Sequence, residues 1–263
     1  MVIDGRKIAD GIVVELKNKL SARREQKFLA VILVGEEPTM VSFVRQKEKI
    51  AKIIGVDFRL YKFPNEIEND ELKEKAREIA DLPDCGGLVL QLPLPAQINR
   101  DEMIGIIPPE KDVDNLTGKA PVLAPAVGVV ETILKTINYK LKTKKAAVVG
   151  LGLLVGKPVS EWLKGKCSEL QTLNSSGNLE TLKQADIVVS GVGIAGLIKP
   201  AVLKNSAVVI DFGYDFKDGK TAGDFDASQP TTISYTPTPG GTGPILVAKL
   251  FENFYELTNL QKP

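Results

Sequence analysis

A lysine on the apolar face of a helix is a group whose proton is easily moved. Residues Met40 to Ile54 read MVSFVRQKEKIAKII, and at helical spacing Met40, Phe43, Lys47, Ile50 and Ile54 share one face. Lys47 interrupts that stripe, whereas Arg45, Glu48, Lys49 and Lys52 lie off it. Desolvation would lower its pKa toward the neutral amine, which acts as a base or positions a water. The alternative is a lysine snorkelling from the edge of the core. Gln91 closes the apolar run Leu88-Val89-Leu90, just before two prolines. Ligands of open α/β sheets sit beyond the carboxyl ends of strands, so Gln91 either hydrogen-bonds a ligand or satisfies loop backbone. Asp112 and Asp114 stand in a nearby Pro-rich loop, where acids also serve as turn caps.

A fourth feature is a glycine-rich turn. Ala146 to Pro158 read AAVVGLGLLVGKP: a buried-type strand, then Gly150-x-Gly152-x-x-x-Gly156, then a helix beginning near Val155. The glycines permit a tight turn, and the helix N-terminus can hold a pyrophosphate. The same pattern also serves as a merely structural strand–helix turn. A phosphate-binding loop of the GxxxxGK[ST] kind would need glycine at Leu151 and Ser or Thr at Pro158. About 20 residues on, where an acid often receives the ribose hydroxyls, the chain reads Thr172-Leu173-Asn174-Ser175-Ser176. That stretch offers neither a carboxylate nor an arginine, so NAD and NADP are not distinguished.

What the chain lacks is also informative. It has 263 residues, no histidine and 2 cysteines, Cys85 and Cys167, far apart. No metal site and no disulfide framework is expected, and histidine-based catalysis is excluded. Proton transfer falls to Lys, Asp, Glu, Tyr, Cys or water. A net charge of +1 gives no sign of a nucleic-acid or membrane-surface partner. The absence of an apolar span or signal-type N-terminus predicts a cytoplasmic protein.

The elements that must position these residues alternate strand and helix, predicting a parallel sheet flanked by helices. Strands are predicted over Phe28–Val34, Val56–Phe63, Gly86–Gln91, Ala146–Val149, Glu169–Leu173, Asp186–Ser190, Ala207–Asp211 and Thr232–Tyr235. Helices are predicted over Ile8–Leu20, Met40–Ile54, Asp70–Ala80, Val127–Ile137 and Ile245–Tyr255. Residues Pro108 to Pro125 form a long loop and a domain junction. The expected organisation is α/β with two domains. Residues 1–120 plus the C-terminal helix (245–263) would form an α/β substrate domain, and 121–244 a Rossmann-like, doubly wound parallel-sheet domain.

Taken together, these segments resemble the bifunctional methylenetetrahydrofolate dehydrogenase/cyclohydrolase family along nearly the whole chain. VGEEPTMVSFVRQKEKIAKIIGV looks like the family's catalytic helix and its lead-in, and QLPLPAQIN its QLPLPxHI motif. PPEKDVDN looks like its PPxKDVDG loop, and TPTPGGTGP like its TPVPGGVGP signature. VVGLGLLVGKP resembles its nucleotide turn, and IDFGYD and GDFD its later segments. The resemblance implies two domains facing each other across a cleft. It implies oxidation of 5,10-methylenetetrahydrofolate by NAD or NADP, then hydrolysis of the methenyl product to 10-formyltetrahydrofolate. It makes Lys47 the catalytic lysine, Gln91 its partner and Asp114 the carboxylate that grips the pterin. Phe43, Pro239, Gly240 and Gly241 would contact the folate. Gly150, Leu151, Gly152, Gly156, Ser175 and Tyr214 would contact the cofactor. A homodimer formed through the nucleotide domain is also implied.

Several positions depart from the family pattern. Phe43 replaces a tyrosine one turn before the lysine, Gln97 a histidine and Asn115 a glycine. The family's PxTPxG segment appears only as LAPAVG, with Pro125 and Gly128. Leu151-Gly152 and Asn174 are neutral where basic contacts to a 2′-phosphate can occur, which predicts a weakened NADP preference or low cofactor affinity. Two competing readings follow. One is a divergent homologue with an impaired dehydrogenase step, serving as cyclohydrolase or as a folate- or nucleotide-binding protein. The other is an unrelated Rossmann dehydrogenase for amino or hydroxy acids, against which the folate motifs argue.

Overall fold

The computed structural model describes residues 1–22, 27–174, 176–217 and 219–261. Its chain falls into two compact units. One comprises Asp10–Pro125 and Val247–Pro263, the other Met1–Ala9 and Ala126–Leu246. The sequence reading placed residues 1–120 together. The first nine instead join the second sheet, because Ile3 N–H donates to Tyr235 O at 2.8 Å and Tyr235 N–H to Met1 O at 3.0 Å.

In the first unit, helix α1 (Gly5–Ser21) leads to β1 (Phe28–Val34), α2 (Pro38–Ile54), β2 (Asp57–Phe63), α3 (Asn69–Asp81), β3 (Cys85–Leu90) and a short α4 (Arg100–Gly105). The strands form a parallel sheet of order β2-β1-β3. Every residue of β1 and β3 is buried, as their near-continuous apolar sequences demand of a sheet covered on both faces. Each large side chain so buried contributes roughly 1.5–3 kcal/mol. Pro38 occupies the first turn of α2, where its missing N–H costs nothing. Glu37 caps it, accepting from Thr39 N–H and Met40 N–H at 3.0 and 2.8 Å. Gly55, at φ 78°, ends it.

In the second unit, α5 (Pro125–Thr136) precedes β4 (Lys145–Val149), α6 (Gly156–Leu163), β5 (Glu169–Leu173), β6 (Ile187–Ser190) and β7 (Val208–Asp211). A hairpin of β8 (Asp215–Lys217) and β9 (Lys220–Ala222) and strand β10 (Ser234–Tyr235) follow, and then α7 (Thr242–Leu260), which belongs to the first unit from Val247 on. The large sheet is parallel, with order β10-β7-β6-β4-β5. Its core gathers Val149, Leu182, Val188, Ile198, Val209 and Phe225.

Three details depart from the expected elements. The crossovers after β5 and β6 contain only short 3₁₀ helices, Leu179–Gln184 and Pro200–Val202, the first opened by an Asn178 side-chain cap. The last strand is only Ser234–Tyr235, while Thr232 Oγ1 bonds Asn205 O at 3.0 Å instead. Helix α7 begins three residues earlier than expected, since Pro244 is tolerated in a first turn.

Candidate active site

Helix α2 buries Met40, Val44, Ala51 and Ile54. Lys47 lies between Val44 and Ala51 on that same stripe, so the true apolar face runs through Val44 rather than Phe43. Phe43 and Ile50 are half-buried flanks. The Lys47 Nζ donates to Gln91 Oε1 at 2.7 Å. Gln91 sits one residue past β3, its backbone N–H bonded to Ile32 O of β1 at 2.9 Å. Its Nε2 donates to Leu92 O at 3.0 Å, which fixes the amide with its oxygen toward the lysine. A polar group at the carboxyl end of β3 thus holds an amine supplied by α2, the crossover helix between β1 and β2.

The acidic loop completes this arrangement. A parallel bridge between Leu88 and Asp112 lays the loop beside β3. Asp112 is fully buried and serves the loop itself: Oδ1 accepts from Leu116 N–H at 3.0 Å, and Oδ2 from Thr117 N–H and Oγ1 at 2.9 and 2.8 Å. Asp114 has no hydrogen bond among the described residues, yet lies near enough to Lys47 for their charges to interact. Burial lowers the Lys47 pKa, and the Asp114 charge opposes that shift. Burial pushes Asp114 up to about 6, opposed by Lys47 and assisted by Asp112. Lys47 keeps some residue surface exposed, but its amine end is desolvated enough for burial to win. Desolvation penalises both charges, so amine and acid approach each other in proton affinity, as a proton relay requires.

In the second unit, Gly150 ends β4 with φ 82°, a left-handed backbone that favours glycine. A Cβ on Gly156 would lie 1.7 Å from Gly150 O, so only glycine lets α6 start against the turn. Gly152 faces open space. This cradle fits a dinucleotide: tight turn, close backbone approach and a helix N-terminus directed at it. Leu151 is exposed, and Asn174 Oδ1 is occupied by Ser176 N–H and Oγ at 3.2 and 3.0 Å. Ser175 lies outside the described residues. Tyr214 stacks edge-on with Phe216, centroids 5.7 Å apart.

The sequence-predicted residues therefore divide between the units. Lys47, Gln91, Asp114 and Phe43 belong to the first. Pro239, Gly240, Gly241, Tyr214 and the glycine turn belong to the second. Asn115 adopts φ 49°, which explains how asparagine stands where the family has glycine. It also braces the loop, donating to Val122 O at 2.9 Å and accepting from Ala120 N–H at 3.2 Å. Gln97 Nε2 anchors to Asn65 O at 2.5 Å. Sequence reasoning missed Asn253, whose Nδ2 donates to Val113 O and Leu123 O, both at 2.8 Å. Its signal was a lone amide inside an apolar helix. Among the described residues no acid–cysteine cluster could hold a metal, and no helix is long and apolar enough to cross a membrane.

Two parallel α/β units define the class: a nucleotide-linked enzyme. One unit holds a desolvated amine beside a free carboxylate, and the other a glycine cradle for a dinucleotide. The chain belongs to the tetrahydrofolate dehydrogenase/cyclohydrolase family. Residues 3–114 match its catalytic domain and 114–262 its NAD(P)-binding domain. The Bifunctional protein FolD of Geobacillus thermodenitrificans is 37% identical over 273 residues, covering 97% of this chain and 96% of that one. Its namesake from Exiguobacterium sibiricum is 34% identical, covering 97% and 98%. Among solved structures, FolD from Campylobacter jejuni matches with a TM-score of 0.94 at 27% identity, covering 100% and 99%. The Trypanosoma brucei enzyme, solved with NADP cofactor and inhibitor, matches at 0.92 and 26%, covering 99% and 97%. These full-length matches favour the bifunctional reading over that of an impaired homologue.

Proposed function

We propose that Lys47, Gln91 and Asp114 are the groups through which this chain performs the chemistry of its family. The chain oxidises 5,10-methylenetetrahydrofolate and hydrolyses the 5,10-methenyl product to 10-formyltetrahydrofolate, in one-carbon folate metabolism. The observation carrying the residue assignment is the 2.7 Å bond from Lys47 Nζ to Gln91 Oε1, beside the unbonded Asp114 carboxylate.

The methenyl carbon is cationic, so water adds to it once a proton is managed. Lys47, with its pKa lowered by burial, takes a proton from the attacking water. Gln91 holds one N–H of the amine and so turns its lone pair toward the attacking water. As the carbon–N5 bond breaks, the ammonium returns a proton to N5. The second water proton leaves to solvent, and the formyl group remains on N10. Asp114, when ionised, accepts hydrogen bonds from the pterin amino and ring N–H groups and fixes the folate. Phe43, one turn before Lys47 on α2, contacts the folate.

The turn Gly150–Gly156, with Leu151, Ser175 and Tyr214, holds the dinucleotide, whose nicotinamide accepts a hydride from the methylene carbon when bound. Leu151, Gly152 and Asn174 supply no cation for a 2′-phosphate, so NADP is not strongly preferred over NAD. The nucleotide unit forms a homodimer, and the enzyme acts in the cytoplasm.

A two-step absorbance assay tests this. Methylene substrate with NAD or NADP yields methenyl product, and methenyl substrate alone is hydrolysed. In Lys47→Met, hydrolysis falls by about 10²–10⁴-fold with the fold intact. An unchanged rate removes Lys47 from the mechanism, and a strong NADP preference overturns the cofactor reading.

A further inference from the structure

Two buried acids of the second unit, Asp211 and Asp224, take no part in that chemistry. Asp224 is fully buried and faces no cation, yet its carboxylate accepts four hydrogen bonds. Ser190 Oγ donates at 2.5 Å, and the backbone N–H groups of Val192, Gly193 and Ile194 each donate at 2.8 Å. Three oriented amides and a hydroxyl thus replace water around its two oxygens.

The loop so held is the one leaving β6. Strands β4 and β6 are neighbours, while β5 lies on the far side of β4. The order of the strands therefore reverses there, and the crevice beyond their carboxyl ends is where such sheets place ligands. The loop forms one wall of that crevice. A Cβ on Gly150 would meet Val192 Cγ2 at 2.9 Å, and one on Gly191 would meet Val155 Cγ1 at 2.9 Å. Asp211 extends the network: Oδ2 accepts from Phe225 N–H at 2.9 Å, next to Asp224. Its backbone N–H donates to Thr236 Oγ1 at 2.8 Å, and its carbonyl accepts from Thr242 Oγ1 at 2.7 Å. Those threonines bracket Pro239–Gly241. A Cβ on Gly213 would stand 2.3 Å from Asp224 Oδ1, and one on Gly223 2.1 Å from Asp211 Oδ2. The glycines of IDFGYD and GDFD exist to admit the acids.

We infer that Asp224 is a positioning residue for the dinucleotide, holding the Val192–Ile194 wall against the Gly150–Gly156 turn and, through Asp211, joining it to the Pro239–Gly241 segment. The inference rests on reading that turn as the cofactor site. In Asp224→Asn the side-chain NH₂ confronts N–H donors and the loop loses acceptors. Calorimetric Kd values for NAD and NADP rise about tenfold or more. The kcat of cofactor-independent hydrolysis of the methenyl substrate, whose proton-handling groups Lys47, Gln91 and Asp114 lie in the other unit, stays within about twofold of wild type. An unchanged Kd in a variant that still hydrolyses overturns the proposal. Parallel loss of binding and hydrolysis also overturns it, by assigning Asp224 to the fold as a whole. Should Asp224→Asn not fold, Ser190→Ala removes one donor, with an expected Kd rise of about fivefold; no rise overturns the proposal. A wild-type protein that binds neither dinucleotide defeats the cofactor reading itself, an outcome visible without any variant.

Discussion

The two units each place a pair of acids at the carboxyl ends of their strands, and use them differently. In the second unit both are committed: Asp211 and Asp224 accept from backbone and hydroxyl donors around their loops. In the first, Asp112 is committed in the same way, but Asp114, two residues on, makes no hydrogen bond among the described residues. A carboxylate buried without donors is costly. It persists where a ligand supplies the missing partners. Which acid of a pair is unspent separates a group that builds a loop from one that meets a substrate.

The largest test of this contrast is Asp114→Asn. Folate hydrogen bonding to a carboxylate is lost, and kcat/KM for hydrolysis falls about 10–100-fold. The wild-type profile should carry an acid limb with an apparent pKa about 6, below which the protonated acid no longer accepts; the variant should lack it. A limb that survives the substitution assigns the titration elsewhere.

Stability should respond with opposite signs. Asp112→Asn leaves an amide facing three donors and costs about 2–4 kcal/mol, read as a lowered denaturant midpoint. Asp114 runs the other way. Its folded pKa, about 6, exceeds its ordinary 3.8, so the folded state binds the proton more tightly and stability is lost as pH rises through that interval. Asp114→Asn should therefore raise Tm above about pH 6, with the gain fading toward pH 4. A lowered Tm at pH 7.5 would break the contrast. The smallest effect is expected from Phe43→Tyr. A hydroxyl one turn before Lys47 adds at most about one hydrogen bond, so hydrolysis should quicken severalfold without changing cofactor choice. A slower variant would mean that the flank of α2 has repacked around the bare ring.

Much of this was legible in the sequence because period and composition carry it. The apolar runs of β1, β3, β4 and β7 announce strands covered on both faces, and their observed bounds differ from expectation by a residue or so. Lys47 was visible as a charge inside a 3.6-residue pattern, although only packing showed that Val44 and Ala51, not Phe43, flank it on the buried stripe. Gln91 was found by its place after an apolar strand. Spacing alone could not part Asp112 from Asp114, since both are acids in one loop and only geometry distributes the donors; the family resemblance alone singled out Asp114. Asp224 and Asn253 stayed silent because their partners lie 30 or more residues away in the chain. The two 3₁₀ crossovers were hidden for a similar reason: helices so short leave no periodicity to detect.

Asn253 carries a consequence for the order in which the molecule is made. Helix α7 is translated after both sheets, yet Phe251, Phe254 and Leu257 are among the most buried side chains of the unit that contains Lys47. The amide at position 253 ties down both flanks of the loop bearing Asp114. A nascent chain halted after the second sheet has been translated therefore carries its amine and its acid but not the clasp that sets them. Competence for folate chemistry waits on an element made after both sheets.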